Sequence, residues 1–284
     1  MRVAITGAEG QLGQTLARLL GDAAMRLGRA ELDLANTAAI APTIERLKPD
    51  VLINAGAYTN VERAEEEGAL CWKINVGAVE QLVAACTKLN CTLVQISTDY
   101  VFGGDRSRRA PYVETDRPAP LSMYARSKHA SELCAADCPQ HLIVRTCGLY
   151  GTPVPRTSFV ETMLRLAQDR RLVRVVDDQV CTPSNVNDIA AAVITLVRAN
   201  ATGLYHVTNS GSTPWSKFAE AIFRLAHLPV KVEPISSAEY GARAERPAYS
   251  VLDTSRYAAV AGEPLRDWEA ALADFLAGRL HRFP

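Results

Sequence analysis

The first twenty residues restrict the fold of this chain more than any other stretch. Met1-Arg2-Val3-Ala4-Ile5-Thr6 is a short apolar run suited to a buried parallel strand. Gly7-Ala8-Glu9-Gly10-Gln11-Leu12-Gly13 comes next, then Thr15-Leu16-Ala17-Arg18-Leu19-Leu20, whose apolar residues recur at helical spacing. The pattern is G-x-x-G-x-x-G, one residue wider at its first step than the G-x-G-x-x-G of dinucleotide-binding loops. Glycines here let the backbone turn tightly and approach a pyrophosphate, which then rests on the helix N-terminus. An ordinary glycine-rich turn would use the same residue types. The place of this one, directly between a strand and a helix, favours the cofactor reading.

Strand and helix signals go on alternating, the mark of a parallel sheet covered on both faces. Met25 to Leu34 holds a second short strand and its exit. Asp33 follows Gly13 by twenty residues, where an acidic side chain can bind the adenosine ribose hydroxyls. Arg29 nearby could instead meet a 2′-phosphate, so NADH and NADPH both stay open. Residues 38–48 suit a helix, and Pro49-Asp50 leads into a third strand, Val51 to Asn54, ending in the small residues Ala55-Gly56-Ala57. Tyr58 and Thr59 then fall at the carboxyl edge of the sheet, the side on which such folds bind ligands. Ala64 to Asn90 reads as one long helix bent near Gly77, with Glu65-Glu66-Glu67 as a solvated first turn favoured by the helix dipole. A fourth strand, Thr92 to Ser97, ends at Thr98-Asp99-Tyr100-Val101-Phe102, and Gly103 to Pro120 reads as a loop over the site.

Ser122 can cap the next helix, which carries Tyr124-Ala125-Arg126-Ser127-Lys128. A Tyr and a Lys four apart on a helix share one face, one turn from each other. A free tyrosine has a pKa of about 10, and an ammonium beside it stabilises the phenolate and lowers that value. Such a pair can pass a proton to or from an oxygen near neutral pH. By itself Y-x-x-x-K mostly marks exposed helix residues; it gains meaning because this chain also opens with a dinucleotide-type loop.

A fifth strand, His141 to Arg145, leads to Thr146-Cys147-Gly148-Leu149-Tyr150-Gly151, and beyond it the alternation weakens. Helices are expected at residues 158–169, Val186 to Arg198, Trp215 to Ala226 and Asp267 to Leu276. Strands are expected at Leu172 to Val176, Tyr205 to Thr208 and Val230 to Ile235, with a polar turn over Asp177 to Ser184 and a loop over Ala238 to Pro247. The expected fold is α/β, a Rossmann-type doubly wound parallel sheet. Residues 1–150 form its dinucleotide-binding domain, and 151–284 a smaller substrate-binding region interleaved with the end of the sheet.

Composition narrows the function classes. Of 284 residues, 48% are apolar and 22% charged, as in a globular protein. The 31 basic and 31 acidic residues balance, so no basic footprint argues for nucleic acid or an acidic membrane. No apolar run approaches the roughly 20 residues of a membrane span. The start reads as a strand rather than a basic-then-apolar leader, and seven scattered cysteines read as reduced thiols of a cytoplasmic protein. Cys134 and Cys138 sit one helical turn apart, but no second pair or His completes a metal site.

With these residues placed, the chain resembles the dTDP-4-dehydrorhamnose reductases of the extended short-chain dehydrogenase/reductase superfamily. The resemblance rests on T-G-x-x-G-Q-L-G, L-D-L, I-N-A-x-A-Y-T, I-S-T-D-Y-V-F, Y-x-x-x-K, V-x-D-D-Q-x-x-x-P and R-P-x-x-S-V-L-D, and covers Arg2 to about Leu276. The short-chain motifs specify only the superfamily; Ser97 to Phe102 and Arg246 to Asp253 are far more specific. The resemblance implies reduction of the C4 ketone of a dTDP-linked 6-deoxyhexulose by NADPH or NADH, giving dTDP-L-rhamnose. Tyr124 would donate the proton, Lys128 would lower its pKa and hold the nicotinamide ribose, Thr98 would bond the ketone oxygen, and Asp99 would bind the sugar. Gly7, Gly10, Gln11, Leu12, Gly13, Asp33 and Leu34 would hold the adenosine half of the cofactor, and Ala57, Tyr58 and Thr59 its middle. Arg246, restricted to an extended backbone by Pro247, would meet the substrate pyrophosphate; its plainer alternative is a surface pair with Glu245 or Glu239. Some members bind magnesium at a dimer contact through glutamates, which have no assigned place here, so monomer and homodimer both stay open.

The chain also departs from the family. Many members carry Ser-Trp after the fifth strand, with the Trp on the sugar; here Cys147-Gly148 stand, and Gly56 replaces a commoner alanine. Two rival readings follow. One is a 4-ketoreductase for another nucleotide sugar, favoured by Gly148. The other is a non-catalytic dinucleotide-binding subunit like the regulatory subunit of methionine adenosyltransferase, against which the joint presence of Thr98, Tyr124 and Lys128 argues.

Overall fold

All four residues of β1 (Val3–Thr6) are buried, which demands a strand on each edge and helices over both faces. The computed structural model, which describes residues 1–151 and 158–280, meets that demand. After β1 come α1 (Gln11–Leu20), β2 (Ala24–Leu27), α2 (Thr37–Leu47), β3 (Val51–Asn54), α3 (Val61–Ala64), α4 (Gly68–Trp72), α5 (Ala78–Leu89), β4 (Thr92–Thr98), α6 (Met123–Ala136) and β5 (His141–Thr146). The second half adds β6 (Leu149–Tyr150), α7 (Phe159–Asp169), β7 (Leu172–Val176), β8 (Val180–Cys181), β9 (Ser184–Asn185), α8 (Val186–Arg198) and β10 (Gly203–His206). It ends with β11 (Thr213–Pro214), α9 (Trp215–Leu225), β12 (Lys231–Ile235), α10 (Ser237–Tyr240), α11 (Ser255–Ala261) and α12 (Trp268–Leu280).

The main sheet has six strands in the order β2-β1-β3-β4-β5-β10, all parallel. Alternate strand residues serve opposite faces. Val3, Ile5, Ile53 and Val94 pack against Leu12 and Leu16 of α1 and Ile189 and Val193 of α8. Ala4, Leu52 and Leu93 pack against Ile40 and Ile44 of α2 and Leu82 and Ala85 of α5. Thus α8 and β10, from the second half of the chain, complete this sheet. A separate parallel pair, β7 with β12, lies under α7, α9 and α12 around Phe218 and Leu272. Strand order reverses between β1 and β3, which opens a crevice at the carboxyl ends of those two strands.

The expected helix over 64–90 is broken. The chain turns after α3, resumes as α4, and passes through a π-helical turn at Lys73–Gly77 before α5. That turn aims buried Asn75 at the loop after β3, where it bonds both the N–H (2.8 Å) and the carbonyl (3.2 Å) of Tyr58. Glu65, Glu66 and Glu67 are not simply a solvated first turn. Glu65 accepts from the Met123 N–H at 2.8 Å, Glu66 pairs with Arg243, and Glu67 pairs with Arg63 and accepts from the Tyr58 hydroxyl. Other differences are smaller: α10 lies in the expected 238–247 loop, β8 in the polar turn, α11 where no element was expected, and α12 runs on to Leu280. Among the described residues, no helix is long and apolar enough to cross a membrane.

Candidate active site

The cofactor loop is packed backbone against backbone. Gly7 has φ +62°, and a Cβ there would stand 2.5 Å from Gly56 Cα. One on Gly13 would stand 2.2 Å from the Gly7 carbonyl oxygen, and one on Gly56 2.6 Å from Leu34 Cδ1. At Gly7 and Gly13 the clash is with backbone, so only glycine fits; at Gly56 it is with the end of a leucine side chain, which leaves glycine there without a structural explanation. Gly10 precedes α1 without a side-chain cap, so first-turn N–H groups of α1 are free of side-chain caps, and Gln11 Oε1 is a buried acceptor without a partner among the described residues. Asp33 stands at the exit of β2, where its Oδ1 accepts from the Ala35 N–H at 3.0 Å. Arg29 Nε lies 3.8 Å from the same oxygen, and both side chains are largely exposed (73% and 44%). The two groups expected to compete for the adenosine end therefore pair with each other, weakly.

Ser122 caps α6 as expected, accepting from the Ala125 N–H at 3.2 Å. Tyr124, Lys128 and Glu132 follow at four-residue spacing down one face. Lys128 is buried and its Nζ donates to the Ile96 carbonyl of β4 at 2.6 Å. Burial pulls its pKa down to about 8, while the carboxylate of Glu132 opposes the fall. The Thr98 hydroxyl acts on the Tyr124 phenol from the end of β4, and Tyr100 stands edge-on to the Tyr124 ring with centroids 6.3 Å apart. Contrary to expectation, Lys128 does not lower the Tyr124 pKa in this structure. Its ammonium is turned to β4, and burial pushes the phenol above its ordinary value against the smaller pull of Thr98. Asp99, expected at the sugar, is 2% exposed, with Oδ2 accepting from Ser250 Oγ at 2.6 Å and Oδ1 from Thr98 Oγ1 at 3.1 Å.

Side chains behind the site hold these parts together. Asn75 Nδ2 donates to Ser127 Oγ at 2.9 Å, and Ser127 Oγ donates to the Tyr124 carbonyl at 2.7 Å. The loop after β3 is thereby tied to the turn of α6 that carries Tyr124. Farther down, Arg145 of β5 makes a two-pronged bond to Glu132, at 2.9 and 2.7 Å.

A cleft of about 450 Å³ lies between the 103–121 loop and residues 237–248. Its walls include Gly103, Leu121, Gln179, Arg106, Arg243 and Arg246. Arg246 is 19% exposed and pairs through Nη2 with Glu62 Oε1 at 2.6 Å, not with Glu245 or Glu239. Burial works against ionisation of Glu62, but Arg246 and the Arg243 and Ala244 N–H groups outweigh it and hold the carboxyl below its usual range. The Arg246 charge also acts on Tyr100, against the larger effect of burial. Gly148 has φ +54°, and a Cβ there would lie 3.2 Å from Pro183 Cα and 3.4 Å from Trp215 Cη2. The backbone here is shaped for glycine, and the space beside it is taken by a tryptophan from α9.

The family model described as "RmlD substrate binding domain" matches residues 1–280. The chain belongs to the dTDP-4-dehydrorhamnose reductase family. It is 39% identical to the dTDP-4-dehydrorhamnose reductase of Streptomyces griseus, over 98% of this chain and 95% of that one. It is 34% identical to a dTDP-4-keto-6-deoxy-D-glucose reductase of Streptomyces niveus, over 94% of each. The crystal structure of the Bacillus anthracis dTDP-4-dehydrorhamnose reductase in complex with NADP superposes with a TM-score of 0.92 at 36% identity, over 98% of this chain and 99% of that one.

Within this family frame, sequence reasoning missed Glu62, Asn75 and Ser250 as supports of the site. Glu62 and Asn75 carry no local signal; Ser250 lies in the Arg246–Asp253 motif and could have been singled out there. Among the described residues, no group of three or more His, Cys, Asp or Glu side chains could hold a metal ion, so no step is assigned to magnesium.

Proposed function

We propose that the protein reduces the C4 ketone of dTDP-4-dehydro-β-L-rhamnose to dTDP-L-rhamnose with NADPH or NADH. The observation that carries this reading is that α6 sets Tyr124 and Lys128 one turn apart against β4, with Tyr124 near Thr98 at the strand's end and Lys128 bonded to Ile96, in a chain whose Gly7–Gly13 loop and overall fold are those of the family. The glycine cradle, where Cβ atoms added on Gly7 and Gly13 would clash with backbone, fits a dinucleotide. Gly7, Gly10, Gln11, Leu12 and Gly13 would hold its pyrophosphate, Asp33 and Leu34 its adenosine, and Ala57, Tyr58 and Thr59 its middle. When bound, the nicotinamide supplies the hydride for C4. A reduction needs an acid that starts protonated, and burial of the Tyr124 phenol keeps it so. Tyr124 then gives its proton to the ketone oxygen as negative charge develops there. Lys128, still mostly charged at neutral pH and one turn from Tyr124 on α6, would bond the nicotinamide ribose.

Residues 151–284 would supply most of the substrate site. Arg246, freed from Glu62, can make paired hydrogen bonds to the substrate pyrophosphate. A second reading, a 4-ketoreductase for a related dTDP-sugar, is favoured by Gly148 and by the likeness to the S. niveus reductase. Oxidation of NADPH across a panel of dTDP- and UDP-linked 4-keto sugars tests both. Turnover fastest with dTDP-4-dehydro-β-L-rhamnose supports the first reading and turnover fastest with another sugar the second. No oxidation with any sugar would leave a dinucleotide-binding subunit.

A further inference from the structure

A hydroxyl has one proton to give and lone pairs to receive. The Thr98 hydroxyl donates to Asp99 Oδ1 at 3.1 Å and accepts from the Tyr100 N–H at 3.2 Å. On its other side lies the Tyr124 phenol. An ionised carboxylate can only accept, so while Asp99 is charged the Thr98 proton is committed to it. A ketone oxygen also only accepts. Tyr124 can donate to it; for Thr98 to do so its proton must turn away from Asp99 Oδ1, which costs that hydrogen bond unless Asp99 carries a proton to give back. Resting on the reductase reading above, we propose that Asp99 is a positioning acid: its protonation sets the direction of the Thr98 O–H and so decides whether the ketone oxygen meets one hydrogen-bond donor or two.

The surroundings of Asp99 suit this role. Ser250 Oγ donates to Oδ2 at 2.6 Å from the segment whose neighbours bracket Tyr112, with Tyr112 N–H donating to Val251 and Asp253 N–H to Tyr112. The Cys147 thiol, in the turn after β5, also favours the charged carboxylate, and Cys181 of β8 acts on that thiol in turn. The groups facing the carboxyl are Thr98 and Tyr100 along the chain, Tyr124 of α6, Cys147, Cys181 and Ser250. None of them is cationic. Burial therefore prevails and pushes the Asp99 pKa up to about 6, against the pull of Ser250, then of Cys147 and Thr98. Both forms of Asp99 are accessible near neutral pH. Removing a donor to the charged form must raise this value, and strengthening one must lower it.

The test follows the carboxyl carbon of Asp99 by NMR in ¹³C-aspartate-labelled protein, beside kcat/KM for the dTDP-4-keto sugar from pH 5 to 9. The parent midpoint should lie near 6. Ser250→Ala should move it up, Ser250→Thr should return it, and Cys147→Ser, which replaces a weak S–H donor by O–H, should move it down. The kcat/KM should fall by about tenfold or more as pH rises through that midpoint, as loss of a donor to a developing oxyanion requires, and should track it in each variant. Asp99→Asn, whose amide N–H can donate to Thr98 at every pH, should lose this fall and keep only the one near pH 8 set by Lys128. An Asp99 midpoint like that of a free aspartate, or one unmoved in Ser250→Ala and Cys147→Ser, overturns the inference even in a protein that reduces no sugar. A kcat/KM profile that ignores the midpoint overturns it in a protein that does. Shifted midpoints in a protein that oxidises no NADPH with any sugar would support the switch and sink the reductase reading.

Discussion

Replacing Glu132 by Gln tests whether the helix carrying Tyr124 and Lys128 is held on the sheet by charge. Glu132 and Arg145 are 4% and 2% exposed, and the guanidinium grips both carboxylate oxygens. Arg145 Nη1 lies 3.3 Å from His206 Nε2. Burial, then the Arg145 charge, pushes His206 down to about 4, so a neutral imidazole accepts from Arg145 and donates from Nδ1 to the Tyr112 carbonyl at 3.0 Å. Glu132 is thus the only anion paired with Arg145 among the described residues. Stripping that charge leaves a buried cation uncompensated, which costs about 3–5 kcal/mol. A second route agrees. Burial opposes ionisation of Glu132, but Arg145 and His129 outweigh it and hold the carboxyl at about 2, against an ordinary 4.5. That difference corresponds to about 3 kcal/mol of folding stability. With an unfolding entropy of about 2.1 cal/mol/K per residue, the chain should lose roughly 5–8 °C in Tm. Calorimetry and urea titration from pH 3 to 7 provide the measurement. Because the folded pKa is depressed, the contribution is complete above about pH 4.5 and is lost as pH falls toward 2. The gap between parent and variant should therefore be constant from pH 5 to 7 and narrow below. A Tm within about 1 °C of the parent, or a gap that does not narrow, would refute the reasoning.

Other perturbations address the chemistry. Tyr124→Phe should lower kcat by roughly 10²–10⁴ with little change in NADPH affinity; a fully active variant would remove Tyr124 from the mechanism. Lys128→Ala should weaken both turnover and cofactor binding, and parent activity should decline as pH rises through about 8 because the ammonium is then lost; a profile flat to pH 9 would contradict this. Arg246→Ala should raise the substrate KM more than tenfold, equivalent to about 1.4 kcal/mol or more, and leave the Kd for NADPH unchanged; parallel loss of both ligands would refute the pyrophosphate assignment. Arg29→Ala should slow the reaction with NADPH more than with NADH, since only NADPH carries the extra phosphate, and equal losses would show that Arg29 does not approach it.

Features legible from the sequence were those encoded within a few residues. The Gly7–Gly13 loop, the alternating strands and helices, the Ser122 cap and the four-residue step from Tyr124 to Lys128 each follow from local periodicity or from one residue's own backbone preference. The break at Glu65–Glu67 did not, because helix propensity there is overridden by bonds to Met123, Arg243 and Tyr58, each from another part of the chain.

What tertiary structure alone decided was the partner and the charge state of each site residue. Ser250 reaches Asp99 across 151 positions, and Glu62 takes Arg246 from the far end of the chain. Neither pairing leaves a mark on nearby sequence, since any serine or glutamate would read the same. The same holds for the titrating groups. A Lys one turn after a Tyr suggests a lowered phenol pKa, yet in the fold Lys128 turns to Ile96 and burial raises Tyr124 instead. Desolvation depends on everything packed around a group, and that is a property of the closed structure rather than of any stretch of chain.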